Sequence, residues 1–193
     1  MNRLHAMPAR ERTLVRLARL CEETASGLHA FRDSLPRCTA QVTDVIAEFF
    51  ALSSILRRLD TAERDVRYEP SFYRIRDDVG LVIGSLKASI DDVLDMFARS
   101  AGRPRQMVWD DLQHQMDDEE GQSLLDRLQL YKDFLTGQAA VLTGRRVSGL
   151  REARDRIEDL IDGQEMSRPP APVPTSSGQA SCLLSVVELL KAS

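Results

Sequence analysis

Hydrophobic positions recur most regularly between residues 75 and 97, where Ile75, Val79, Val82, Leu86, Ile90, Val93 and Phe97 fall at steps of three and four. That spacing places them on one stripe of an α-helix, because successive residues turn by about 100°. Ile83 and Leu94 widen the stripe, while Asp77, Asp78, Lys87, Asp91 and Asp95 fall mostly outside it. The pattern predicts a helix with one dry and one wet face, and such a stripe needs partner helices to cover it.

The chain on either side supplies them. Residues 9–35 are predicted to be helical, with Leu14, Leu17, Cys21, Leu28, Phe31 and Leu35 on one side, and Pro36 ends that pattern. A second helix is expected over 39–60, built on Val42, Val45, Ile46, Phe49, Leu52, Ile55, Leu56 and Leu59. Phe50 beside Phe49 widens its apolar arc, which suits a helix placed between two others. The charged run TAERDVRYEPS reads as an exposed connector, and Pro70 biases Glu69 away from helical geometry, so the central helix is expected to start near Ser71.

Gly102 and Pro104 punctuate the chain after that helix. Further helices are expected over 105–116, burying Val108 or Met107 with Trp109, Leu112 and Met116, and over 122–142, where Ser123 is placed to open the helix. TGRRVSG forms the next turn, and Leu150, Ala153, Ile157, Leu160 and Ile161 mark a last helix ending near Gly163. The expected organisation is a helical bundle over 9–165, a proline- and serine-rich linker over 166–178, and a short apolar tail over 179–193 with helical spacing of Leu183, Val187 and Leu190. The fold class is therefore all-α: a bundle of five or six antiparallel helices with the 73–97 helix central.

Composition narrows the picture. The 193 residues are 42% hydrophobic, enough for a compact core, and the formal charge of -4 gives no overall attraction to nucleic acid or anionic lipid. Lys87, Lys132 and Lys191 are the only lysines, so almost every cation is an arginine. Cys21, Cys38 and Cys182 are odd in number and far apart, which fits a reducing compartment better than a disulfide framework or zinc site. The N-terminal residues are interrupted by arginine and lack a signal-type apolar run, and no stretch of about 18 apolar residues occurs. The expectation is a cytoplasmic protein.

Candidate chemistry is sparse. The acidic cluster Asp110, Asp111, Asp117, Asp118, Glu119 and Glu120 lacks the alternating ligands and central glycine of a calcium loop, and Asp111 with His114 makes one isolated metal-type pair. Asp91, Asp92 and Asp95 share a charged helix surface, without the contrasting environments that acid–base work requires. Cys21 sits on an apolar stripe with no histidine partner. Gly80 and Gly84 read as a small-residue contact where another helix backbone approaches, or as glycines simply tolerated in a helix. Arg57, Arg58, Arg64, Arg67, Arg74 and Arg76 are interleaved with acids and read as ion-paired or solvated, so nucleic acid is not the expected partner. No catalytic residue, metal or cofactor is expected.

Three stretches carry a resemblance: ALSSILRRLD (51–60), YRIRDDVGLVIGSLKASIDDVLDMF (73–97) and SLLDRLQLYKDFL (123–135), with RDRIEDLIDGQE near the end. Together they resemble a fungal helical N-terminal domain of the kind that precedes ankyrin repeats or nucleotide-binding signalling modules of the STAND type, HeLo-like in role. The resemblance implies an all-helical interaction or signalling module and offers no catalytic residues. The chain has neither a P-loop nor ankyrin repeats of its own, which fits a stand-alone or truncated relative. The leading expectation is thus a non-enzymatic module that binds another protein or its own copy, with Phe50, Phe72, Tyr73 and Trp109 as candidate contacts. The alternative is a membrane-active signalling domain whose first helix carries Arg12, Arg16 and Arg19 opposite its apolar stripe. An enzyme or metal-binding bundle ranks third.

Overall fold

In the computed structural model, residues 11–33, 40–66, 70–99, 102–116 and 123–167 are described. They form six helices, α1 (Glu11–Asp33), α2 (Ala40–Val66), α3 (Pro70–Arg99), α4 (Arg105–Met116), α5 (Leu124–Leu142) and α6 (Leu150–Ser167). Among the described residues there is no strand, and the architecture is the expected all-α bundle. No helix among them is long and apolar enough to cross a membrane. The predicted tail, most of the predicted linker, Cys38 and the acids at 117–120 lie outside the described residues.

The α3 stripe is buried along its whole length, with Val82 and Leu86 at 0% exposure. It packs against α1, α4, α5 and α6. Phe31 of α1 meets Phe97 edge-on at 5.2 Å between ring centres. Centrality is shared, however, because α5 touches α2, α3, α4 and α6, and the most extensive pairing is the α1–α2 hairpin. The width of the α2 apolar arc explains this: Val42, Val45, Ile46, Phe49, Leu52, Leu56 and Leu59 are all buried, in a helix wedged between α1 and α5.

Three boundaries differ from expectation. The expected connector after residue 60 is helix as far as Val66, because Ala62, Glu63 and Arg64 are good helix formers and Leu59 and Glu63 continue the buried side. Pro70 is the first residue of α3, a position where its missing N–H costs nothing and its fixed φ suits the helix. α6 likewise continues through Gly163 to Ser167. Ser123 caps α5 as its sequence position suggests, its Oγ accepting from the Asp126 N–H at 3.1 Å. The other end of α5 closes in a Schellman turn: Gly144 has φ of 77°, its N–H donates to Val141 O at 2.9 Å, and the Arg145 N–H donates to Ala140 O at 3.0 Å.

A few polar ties fix how the helices slide on one another. The buried Tyr131 hydroxyl of α5 lies 2.5 Å from Ser85 Oγ and 3.5 Å from Ser89 Oγ, two hydroxyls one turn apart on α3. Asp78 of α3 accepts from Gln138 Nε2 of α5 at 3.3 Å and faces Arg154 Nη1 of α6 at 3.4 Å. Close helix approach occurs at Gly137 of α5, where an added Cβ would sit 2.5 Å from Leu150 Cδ2 of α6. It does not occur at Gly84, which is exposed, with nothing within 4 Å of a Cβ placed there. At Gly84 the tolerated-glycine reading is the correct one.

Two substitutions within α3 should therefore move stability in opposite directions. Gly84→Ala adds a methyl group in open space at an ordinary helical φ and raises stability by about 1 kcal/mol. Leu86→Ala, two residues away, opens a core cavity and costs about 2–5 kcal/mol. Thermal unfolding followed by circular dichroism distinguishes them; a Gly84→Ala melting point below that of the wild type would contradict this placement.

Candidate functional site

α1 spends its apolar side on the core: Leu14, Leu17, Cys21 and Leu28 are buried. Inserting this stripe into lipid would mean withdrawing it from the bundle. Arg16 and Arg19 are exposed on the outside, and Arg19 Nε pairs with Glu23 Oε1 at 3.0 Å. The side chain of Arg12 lies outside the described residues, as do those of Phe72 and Tyr73, although the backbones of all three belong to α1 or α3. Trp109 is 6% exposed and packs in the core through α4. The candidate contacts of known placement therefore do not converge on one site.

Phe50 stands apart from them. It is 45% exposed, the single exposed aromatic side chain among the described residues. Its neighbour Phe49 is fully buried, so the helix turn between the two rings sends one inward and the other to solvent. Around Phe50 the outer arc of α2 is small and uncharged: between Asp44 and Arg57 the exposed residues are Ala47, Phe50 and Ser54, with Ala51 half-buried among them. The wide apolar arc expected from sequence thus ends in a face that neither α1 nor α5 covers.

Charge is arranged at the margins of that face. On the α1 side, Glu22 binds Arg57 through two hydrogen bonds, Nε to Oε1 at 3.1 Å and Nη2 to Oε2 at 2.9 Å, and accepts a third from Ser53 Oγ at 2.6 Å. These bonds, that from Arg57 foremost and that from Ser53 next, hold the Glu22 carboxyl below its ordinary pKa. On the α5 side, Lys132 Nζ donates to Glu48 Oε1 at 2.6 Å, while Glu48 Oε2 is buried without a hydrogen-bond partner. Asp44 and Arg58, at the two ends of the uncharged stretch, are exposed and make no ion pair with another described residue.

The remaining sequence candidates lie elsewhere. Asp111 is held by Arg103 Nη1 at 2.6 Å, and Asp110 accepts from Gln106 Nε2 at 3.0 Å. Asp91 pairs with Lys87 at 2.7 Å. Among the described residues no group of three or more metal-ligating side chains comes together. Of the two residues offered for burial in α4, Val108 is buried and Met107 is exposed; Val15 of α1 and Val147 of the α5–α6 connection are exposed apolar side chains that the periodicity did not single out. No family model, curated protein or solved structure matches the chain.

The Cys21 thiol is fully buried, and burial first, with the neighbouring Glu22 charge second, pushes its pKa up to about 12. At neutral pH it is a protonated, enclosed group and a poor nucleophile. Iodoacetamide treatment of the native chain, read by peptide mass mapping, should leave Cys21 unmodified until denaturant is added. Modification of Cys21 in native buffer at the rate of a small free thiol would contradict this placement.

Proposed function

We propose that this chain is a non-enzymatic protein-interaction module, of the signalling type, whose contact surface is the outer face of α2 around Phe50. The observation that carries the reading is the half-exposed Phe50 ring set between Ala47 and Ser54, on a stretch of α2 between Asp44 and Arg57 that holds no exposed charge. An aromatic anchor loses little conformational entropy when docked and removes a large apolar area from water, which is why such residues concentrate binding energy. Small neighbours let a partner come close to the helix, and charged margins supply orientation. The resemblance of 51–60, 73–97 and 123–135 to fungal helical N-terminal domains supports the same class of role, because those domains transmit signals by contact.

The reading is tested by capturing partners from a lysate of the source organism with the intact chain, alongside Phe50→Asp and, as a control, Met107→Asp. Both positions are exposed, so both variants are expected to keep the wild-type circular dichroism spectrum and melting point. A bound protein should be lost with Phe50→Asp, by about ten-fold or more in apparent affinity, and kept with Met107→Asp. Equal capture by all three proteins would overturn the assignment of the surface.

A further inference from the structure

Asp44 and Arg58 lie seven residues on either side of Ala51. Seven residues make nearly two helical turns, so Asp44, Ala51 and Arg58 share one side of α2, and Ala47 and Ser54 fill the intervening turns of that side. The spacing 44, 47, 51, 54, 58 is the alternation of threes and fours that lets two helices pack along a common seam. Every residue of this series except half-buried Ala51 is exposed.

We infer that the occupant of this face is a second copy of the chain, with the two α2 helices crossing antiparallel about a two-fold axis near Ala51. This rests on the reading of the α2 face as a contact surface. In such a crossing a residue a given number of places before the axis faces the residue the same number after it in the other copy. Asp44 of each copy then meets Arg58 of the other, about 10 Å along the helix from the axis on each side. Both ends of the seam are thereby neutralised by one operation, as a self-complementary two-fold interface requires.

The alternative directions are worse. A parallel pairing puts Asp44 beside Asp44 and Arg58 beside Arg58, two like-charge contacts in place of two attractive ones. Arg57 does not compete for Asp44, because its guanidinium donates two hydrogen bonds to Glu22 of its own copy. In the centre of the seam, Ala47, Ala51 and Ser54 keep the backbones close. Phe50, one residue from the axis, reaches the other copy's α2 beside that axis, so two phenyl rings leave water together. One helix face is less than the roughly 800 Å² per partner of a standard interface, so the dimer is a reversible one that forms with concentration.

Sedimentation equilibrium of the intact chain over its soluble concentration range tests this, with circular dichroism confirming that each variant folds. The wild type should self-associate. Asp44→Arg and Arg58→Asp, each replacing two attractions by two repulsions, should separately weaken the dimer about ten-fold or more. An equimolar mixture of those two variants should associate again, because each Asp–Arg contact is restored between unlike chains. Phe50→Asp should abolish association. A wild type that stays monomeric overturns the inference, and the interaction reading itself survives that result if partner capture still depends on Phe50. Association that ignores both charge reversals and Phe50→Asp also overturns it, by placing the dimer on another surface.

Discussion

The bundle depends on one constraint: α2 must be covered on two sides at once. Each helix satisfies its own backbone hydrogen bonds, so what selects one arrangement of six is the removal of apolar stripes from water. The α2 stripe is too wide for a single groove. Wedging it between α1 and α5 draws those two helices into one core, to which α3, α4 and α6 add their own faces. The same wedge explains the candidate surface. Two neighbours take up two sides of a helix, and the third side, with Ala47, Phe50 and Ser54, meets solvent.

Polar contacts then choose among the ways in which greasy helices slide. Burying the Tyr131 hydroxyl would be costly alone, but with Ser85 and Ser89 in reach it is tolerated in only one register of α5 against α3. Asp78 plays the corresponding part for α6, and Lys132 with Glu48 for α2 against α5. These ties join different helices and lie around the core, whereas the outer arc of α2 between Asp44 and Arg57 contains none. Its two end charges, Asp44 and Arg58, make no ion pair among the described residues.

Much of this was legible in the residues. The α3 stripe announced itself because seven side chains at steps of three and four leave no other regular structure able to bury them together. Ser123 and the glycine after α5 marked helix ends through local chemistry that needs no tertiary context. The run after Asp60 misled because its charge resembles a solvated connector, while helix propensity and the buried side of Glu63 carry α2 through it. Periodicity put Phe49 on the buried stripe with Phe50 beside it, but how much of the widened arc stays uncovered is decided by where α1 and α5 lie. Trp109 shows the converse, since an aromatic side chain near a helix start suits either a core or a contact, and α4 packing settles it. That Asp44 and Arg58 make no ion pair among the described residues was invisible for a different reason: whether a surface charge has a partner is a property of the fold, not of the helix that carries it.

The central claim is that adjacent phenyl rings on α2 have opposite fates, one holding the core together and the other facing outward. Hydroxyl-radical footprinting of the dilute native chain, resolved to single residues by mass spectrometry, measures that directly. Phe50 should be oxidised readily and Phe49 protected, with the difference vanishing in denaturant. Equal oxidation of the two rings in the native chain, or protection of Phe50 at a dilution where the chain is monomeric, would contradict the account.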